Sequence, residues 1–247
     1  LKGGKVDIAN AVYKWTMLAC LLVSLAVLVL LIWSVLGDGL EVLSDRGLDF
    51  LTQGNSGDST TAGMWQAIYG SFFIALFVAI VAFPLGIAAA VYIEEYASDT
   101  WLTSLISVNI RNLAGVPSIV YGLLGLSVFV KTLEGFTGGR SIIAGGLTLA
   151  VLVLPIVIIT AAEALRAVPD SIREAGFGVG AARWEVVRGH VLPYAAPGIL
   201  TGTVLALARA LGEAAPLILV GAAVGFFDTA DGTNTIDRLH GTFTALP

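Results

Sequence analysis

Charge is what this sequence has least of. Asp, Glu, Lys and Arg make up 13% of 247 residues, where a soluble domain carries roughly 25% to keep its surface wetted. A wholly water-facing globule is therefore excluded. Cysteine is nearly absent as well: Cys20 stands alone inside an apolar run, so no disulfide framework exists. No G-x4-G-K-[ST] loop occurs, which removes the usual means of holding ATP phosphates. The two histidines have no cysteine or carboxylate cluster around them, so neither a metal site nor a catalytic constellation is expected. A formal net charge of -5 argues against nucleic acid as a partner.

Apolar residues fill the space that charge leaves: 57% of the chain is hydrophobic, and the mean hydropathy is +0.89. Charge-free runs recur over Trp15–Leu36, Ala67–Ile93, Asn112–Val130 and Ser141–Ala162. A fifth, Val191–Phe227, is broken only by Arg209 and Glu213. About 20 apolar residues are needed for a helix to cross the hydrocarbon core, so five spans are expected. The fold class is all-α, a polytopic transmembrane helical bundle. The first run is longer than a signal-peptide core and has no small-x-small cleavage site, so it reads as a retained helix. Pro84, Pro117, Pro155 and Pro216 fall inside four spans, where a bundle tolerates kinks.

Lysine and arginine set the orientation. Lys2, Lys5 and Lys14 place residues 1–14 in the cytoplasm, and residues 15–247 form a single transmembrane domain. The acidic loop 37–66, with Asp38, Glu41, Asp45, Asp49 and Asp58, is then external. The turn at Glu94 and Glu95 is internal, and 131–140 is external. The loop 163–190 is internal, with Arg166, Arg173, Arg183 and Arg188.

That last loop is the most informative segment. Pro169 ends the preceding helix, and Ser171 with Glu174 forms S-x-x-E, which reads as a capping box starting a short helix. Gly178 and Gly180 end it after about two turns. Glu174-Ala175-Gly176, then Gly180, then Leu192-Pro193 resemble the E-A-A-x3-G-x9-I-x-L-P loop of binding-protein-dependent ABC importers. Gly176 stands where the pattern has its second alanine, and His190 where it has isoleucine. The segments Asn112–Leu126, Leu192–Gly202 and Ala206–Leu217 extend the resemblance to the A permease subunit of Pst-type phosphate importers.

The resemblance implies a cytoplasmic coupling helix, with Ser171, Glu174, Ala175, Gly176, Phe177 and Gly180 contacting an ATP-binding subunit. It implies two such subunits carrying ATP and magnesium, a homologous second permease and an extracytoplasmic phosphate-binding protein, all at a bacterial or archaeal plasma membrane. This chain would hold no cofactor itself and would not be an enzyme. Six spans are implied, so the chain, which begins with Leu1 rather than methionine, is expected to continue past Pro247 into one more apolar run.

Arg209 sits midway along the stretch Leu200–Leu219. A charge at that depth costs about 2.5–3.5 kcal/mol on insertion scales, which calls for a reason. Glu213 follows at i+4, and a continuous helix would set both beside the small residues Gly198, Gly202 and Ala206, facing the bundle interior or a water-filled path. Pro216 would free the Gly212 carbonyl at the same depth. One reading is a self-neutralising pair that fixes register. The other is an anion path, in which permanently charged arginine meets an oxyanion. Arg111 is a weaker path residue, more in keeping with a side chain snorkelling to the cytoplasmic interface, and His190 is interfacial. The polar tail from Asp228 has the wrong residues at the ends of a calcium loop. A phosphate permease is thus the leading reading. Sulfate, thiosulfate or molybdate permeases are same-class alternatives; an ion-coupled secondary transporter or a membrane scaffold are the others.

Overall fold

The computed structural model describes residues 8–54 and 62–222. Lys2, Lys5, Asp58, the tail from Asp228 and the expected sixth span lie outside the described residues. Two compact units are present, divided after Gln53.

The first unit is α1 (Ile8–Arg46) followed by the single turn α2 (Asp49–Thr52). At 39 residues α1 exceeds the expected run at both ends, so Asp38, Glu41 and Asp45 lie on the helix rather than in a loop. Arg46 donates to Gln53 Oε1 at 2.7 Å and covers the Phe50 ring.

The second unit begins with α3 (Trp65–Val91), whose last turn widens into a π-helical segment over Tyr92–Tyr96. Next come α4 (Trp101–Ala114) and α5 (Ser118–Leu124), the latter running on as a second wide segment to Thr132. The single turn α6 (Glu134–Thr137) leads to α7 (Ile142–Arg166). After α7 come α8 (Asp170–Gly178), α9 (Arg183–Val186), α10 (Leu192–Leu211) and α11 (Ala214–Val220). A wide segment over Val187–Val191 joins α9 to α10. Helix therefore resumes at Arg183, well inside the expected loop 163–190.

The helix α7 is the axis of this unit and supplies more of its core than any other element, including Leu149, Val153 and Val157, all fully buried. Small residues set how closely its neighbours approach. A β-carbon on Gly86 would lie 2.7 Å from Val157 Cγ1, and one on Gly146 2.8 Å from the Phe77 ring. These two contacts make α3 and α7 parallel. Gly198 meets Ala164 and Gly202 meets Thr160, so α10 runs antiparallel to α7.

Among the described residues, four helical stretches are long and apolar enough to cross a membrane, or five if a bent pair counts as one span. The bent pair corrects the third expected span. Residues 112–130 are not one helix: α4 and α5 meet at 100° across Gly115-Val116-Pro117. Proline has no N–H to continue the ladder and biases the residue before it toward extended backbone. Tyr121 Oη donates to the Leu113 carbonyl at 2.9 Å, which satisfies an end group of α4 and braces the corner.

The fifth expected span is also interrupted. The helix ends at Leu211, Glu213 takes extended backbone (φ -93°, ψ 98°), and α11 starts afresh at Ala214. Pro216 consequently falls in the first turn of α11, where its missing N–H is not needed. It does not free the Gly212 carbonyl as a continuous helix would have required. The two breaks sit side by side, because Gly122 of α5 packs on Pro216 and Leu219, and Gly125 on Thr148 and Val220. Gly221, at the end of α11, rests on Arg140 beside the start of α7.

Candidate functional site

Three places carry charge or exposed apolar surface in a way that packing alone does not explain. The first is α8. Its N-cap is Pro169, with no side chain capping it, so the expected Ser171–Glu174 capping box does not form. The helix starts two residues earlier than S-x-x-E requires. Ser171 is already inside the first turn, and Asp170 supplies the negative charge there, reaching Arg173 Nη1 at 3.2 Å. The expected end does hold: Gly180 has φ +82°, the left-handed conformation that glycine accepts without strain.

Gly176 is buried against Val186, so α8 is pinned by its small residue to α9. Ser171, Glu174, Ala175, Phe177 and Val179 are left exposed. Phe177 at 48% and Val179 at 83% give the helix an apolar outer face. A shallow cleft beside it is lined by Ser171, Ile172, Ala175, Gly176, Val179 and His190.

The second place is where α3 and α7 end and α8 begins. Glu94 and Glu95 are consecutive, and the wide turn splays them to different partners. Arg166 grips Glu94 through two parallel hydrogen bonds, with Nε to Oε2 at 2.9 Å. Glu95 is buried and receives Arg173 Nη2 at 2.7 Å and Nε at 3.2 Å. That hydrogen bond and the Glu95 charge hold the Arg173 guanidinium above its ordinary range. Arg111 lines a small cleft with Glu94, Ser107, Glu163 and Arg166. It belongs to this end of the bundle, as a snorkelling residue would, and is not brought together with Arg209.

The third place is the break after α10. Arg209 Nε lies 3.6 Å from Glu213 Oε1, a loose ion pair rather than a hydrogen bond. Continuing the register that pairs Gly202 with Thr160 sets Arg209 level with Val153, halfway along α7. Of the two expected surroundings, bundle interior or water-filled path, the packed interior of this chain is not the one around Arg209. Gly202, Ala206 and Ala210 do pack inward, but Arg209 shares its face with Thr201, Val204, Leu205 and Ala208, all exposed. Its side chain is half exposed while that of Glu213 is one-fifth exposed. The break turns Glu213 off the wheel that a continuous helix would have followed.

Comparison with known proteins fits this geometry. Residues 82–242 match the family described as the binding-protein-dependent transport system inner membrane component. The chain belongs to that family. Among curated relatives of the permease is the phosphate transport system permease protein PstA 1 of Mycobacterium tuberculosis (strain ATCC 25618 / H37Rv). It is 34% identical over 241 residues, which cover 97% of this chain and 75% of the relative. The probable ABC transporter permease protein YqgH of Bacillus subtilis (strain 168) is 34% identical, covering 90% and 76%. PstA of Mycobacterium leprae is 42% identical over a shorter stretch, 69% of this chain and 55% of that one. An inward-facing structure of the MetNI methionine ABC transporter matches with a TM-score of 0.50 at 21% identity, over 61% of this permease and 68% of that chain. That similarity shows the shared fold.

Reasoning from sequence missed Glu94 and Glu95, which it treated as a turn without positive charge. Two adjacent acids at the end of an apolar span, on the same side as a loop with four arginines, were the available signal.

Proposed function

We propose that this permease carries phosphate into the cytoplasm as one half of a translocation path driven by ATP hydrolysis on partner subunits. The observation that carries the proposal is Arg209. A permanent positive charge stands halfway through the bundle, on a face that this chain leaves open, and Glu213 is near enough to balance it when no anion is present. Relatives named as phosphate permeases over nearly the whole chain support phosphate as that anion. A homologous second permease would cover the open face and complete the path.

Of two ATP-binding subunits, which carry ATP and magnesium, one would dock on the exposed face of α8 around Glu174, Ala175 and Phe177, and the other on the second permease. A phosphate-binding protein would deliver substrate at the external side. The N-terminus is then cytoplasmic, in the plasma membrane of a bacterium or archaeon, with lipid around the bundle and no nucleic acid involved. An ion-coupled secondary transporter has no observation left in its favour, given the family.

The test is phosphate uptake into vesicles holding the full complex, with ATPase subunits and binding protein added or withheld. Uptake is expected only when both are present. Glu174→Lys, which reverses charge on the docking face, is expected to release the ATPase subunits, while Glu174→Gln has a milder effect. Uptake without the ATPase subunits, or a Glu174→Lys complex that assembles and transports normally, would overturn the reading.

A further inference from the structure

Arg173 is bonded more fully than its place in a short cytoplasmic loop requires. Its guanidinium has five N–H donors, and each one is used. Nε and one Nη2 hydrogen go to Glu95, and the other Nη2 hydrogen goes to the Leu165 carbonyl at 2.9 Å. Nη1 serves the Val168 carbonyl at 2.8 Å and Asp170 Oδ1. One side chain of α8 thereby adds a donor to the Leu165 carbonyl at the end of α7, which also accepts from the Val168 N–H, and holds the Glu95 carboxylate in the wide segment after α3. Glu95 is 6% exposed, so water does not compete for it. Arg166 and Glu94, gripping each other alongside, tie α7 to α3 a second time.

The chain between α7 and α8 is short and centred on Pro169, and it connects α8 to α7 alone. Glu95–Arg173 is a direct side-chain tie from α8 to α3. We propose that Glu95 and Arg173 form a rigid strut, through which a displacement of α8 moves the ends of α3 and α7 as one body. The inference rests on the reading that α8 receives the ATPase subunits. Both residues are positioning residues: neither is placed on the path of phosphate or on the docking face. Because a fully bonded guanidinium has no partner left to exchange to, the strut stays closed throughout the transport cycle and does not act as a latch.

The experiment compares phosphate moved per ATP hydrolysed in vesicles holding the complete importer. Arg173→Lys keeps the charge and loses the fork; Glu95→Gln keeps the shape and loses the charge. In both, ATPase subunits are expected to co-purify and hydrolyse ATP, while phosphate moved per ATP falls at least about fivefold, the low end of ordinary coupling free energies. Glu95→Cys with Arg173→Cys, in a Cys20→Ser background, is expected to be uncoupled until a short bifunctional thiol reagent joins the pair, and then to recover. An unchanged ratio in the single variants overturns the strut, as does a loss of hydrolysis and uptake in step, which is what simple unfolding gives. A cross-linked pair that arrests transport also overturns it, because the contact would then have to open. Glu174→Lys is run in parallel. If it releases the ATPase subunits while the strut variants stay coupled, the docking reading stands and the strut falls; if it changes nothing, both fall.

Discussion

At position 176 the difference between glycine and alanine is a single methyl group, and the structure shows what it would strike. A β-carbon there would sit 2.8 Å from Val186 Cγ2 and 3.0 Å from Cγ1, inside van der Waals contact. The departure from the family's second alanine is thus matched by the valine packed over it. Gly176→Ala is expected to destabilise the α8–α9 contact by about 1–3 kcal/mol, the range for overpacking. Val186→Ala should relieve part of that loss, and thermal unfolding of the four members of the cycle measures it. Strict additivity would show that the two side chains do not meet. A second residue-scale prediction concerns Arg209. Arg209→Gln is expected to lower phosphate uptake at least about tenfold, since a charged hydrogen bond contributes about 1.5–3 kcal/mol, with assembly preserved. Replacing Arg209 and Glu213 together by leucine should assemble well and not transport. Uptake that survives in Arg209→Gln would leave the pair a structural one. Gly180 as a helix end, and the depth of Arg209 along its helix, were legible as single residues because left-handed glycine and mid-run charge are local signals. Ser171 misled because a two-residue shift in helix start turns a cap into an ordinary first-turn side chain. Glu213 misled because a helical wheel assumes the helix continues.

Among elements, the long apolar runs of α3 and α7 were legible to within a few residues, since length and absence of charge decide whether a segment can span. The corner between α4 and α5 was not. Composition counts apolar residues without giving their direction, and membrane helices commonly carry proline and glycine without turning. At 14 residues, α4 reaches about 21 Å and is too short to cross alone. The corner therefore needs bracing from outside the helix ladder. Gly125 lets α5 seat against Thr148 of α7 and Val220 of α11, and the Tyr121 hydroxyl bonds back to Leu113. Gly125→Val is expected to unseat α5, lowering the midpoint of thermal unfolding in detergent and reducing assembly with partner subunits. Tyr121→Phe removes one hydrogen bond and should cost only about 1 kcal/mol. Equal effects from the two would show that close packing at Gly125 does not hold the corner.

For the whole molecule, the direction of each helix tests the orientation that lysine and arginine suggested. Parallel α3 and α7 must both end on one side, and antiparallel α10 must begin there. Arg166, Arg173, Arg183 and Arg188 fall together at that end. Two of these arginines are paired with Glu94 and Glu95, but acidic residues contribute little to the positive-inside rule, so the assignment to the cytoplasm does not weaken. At the other end are Arg140, Gly221 and the α6 turn. Val179 and Phe136 mark the two ends, with 83% and 69% of their surfaces exposed. With Cys20 replaced by serine, Val179→Cys is expected to react with a membrane-impermeant maleimide only when the cytoplasmic face is outward. Phe136→Cys is expected to react only in the opposite vesicles. Reaction of both from the same side would mean that α7, the one helix of spanning length between them in the chain, does not cross. Adding the ATPase subunits supplies a further discrimination. If α8 is their docking helix, Val179→Cys becomes protected on their addition while Phe136→Cys keeps its reactivity, because only the first lies on the surface that the partner covers.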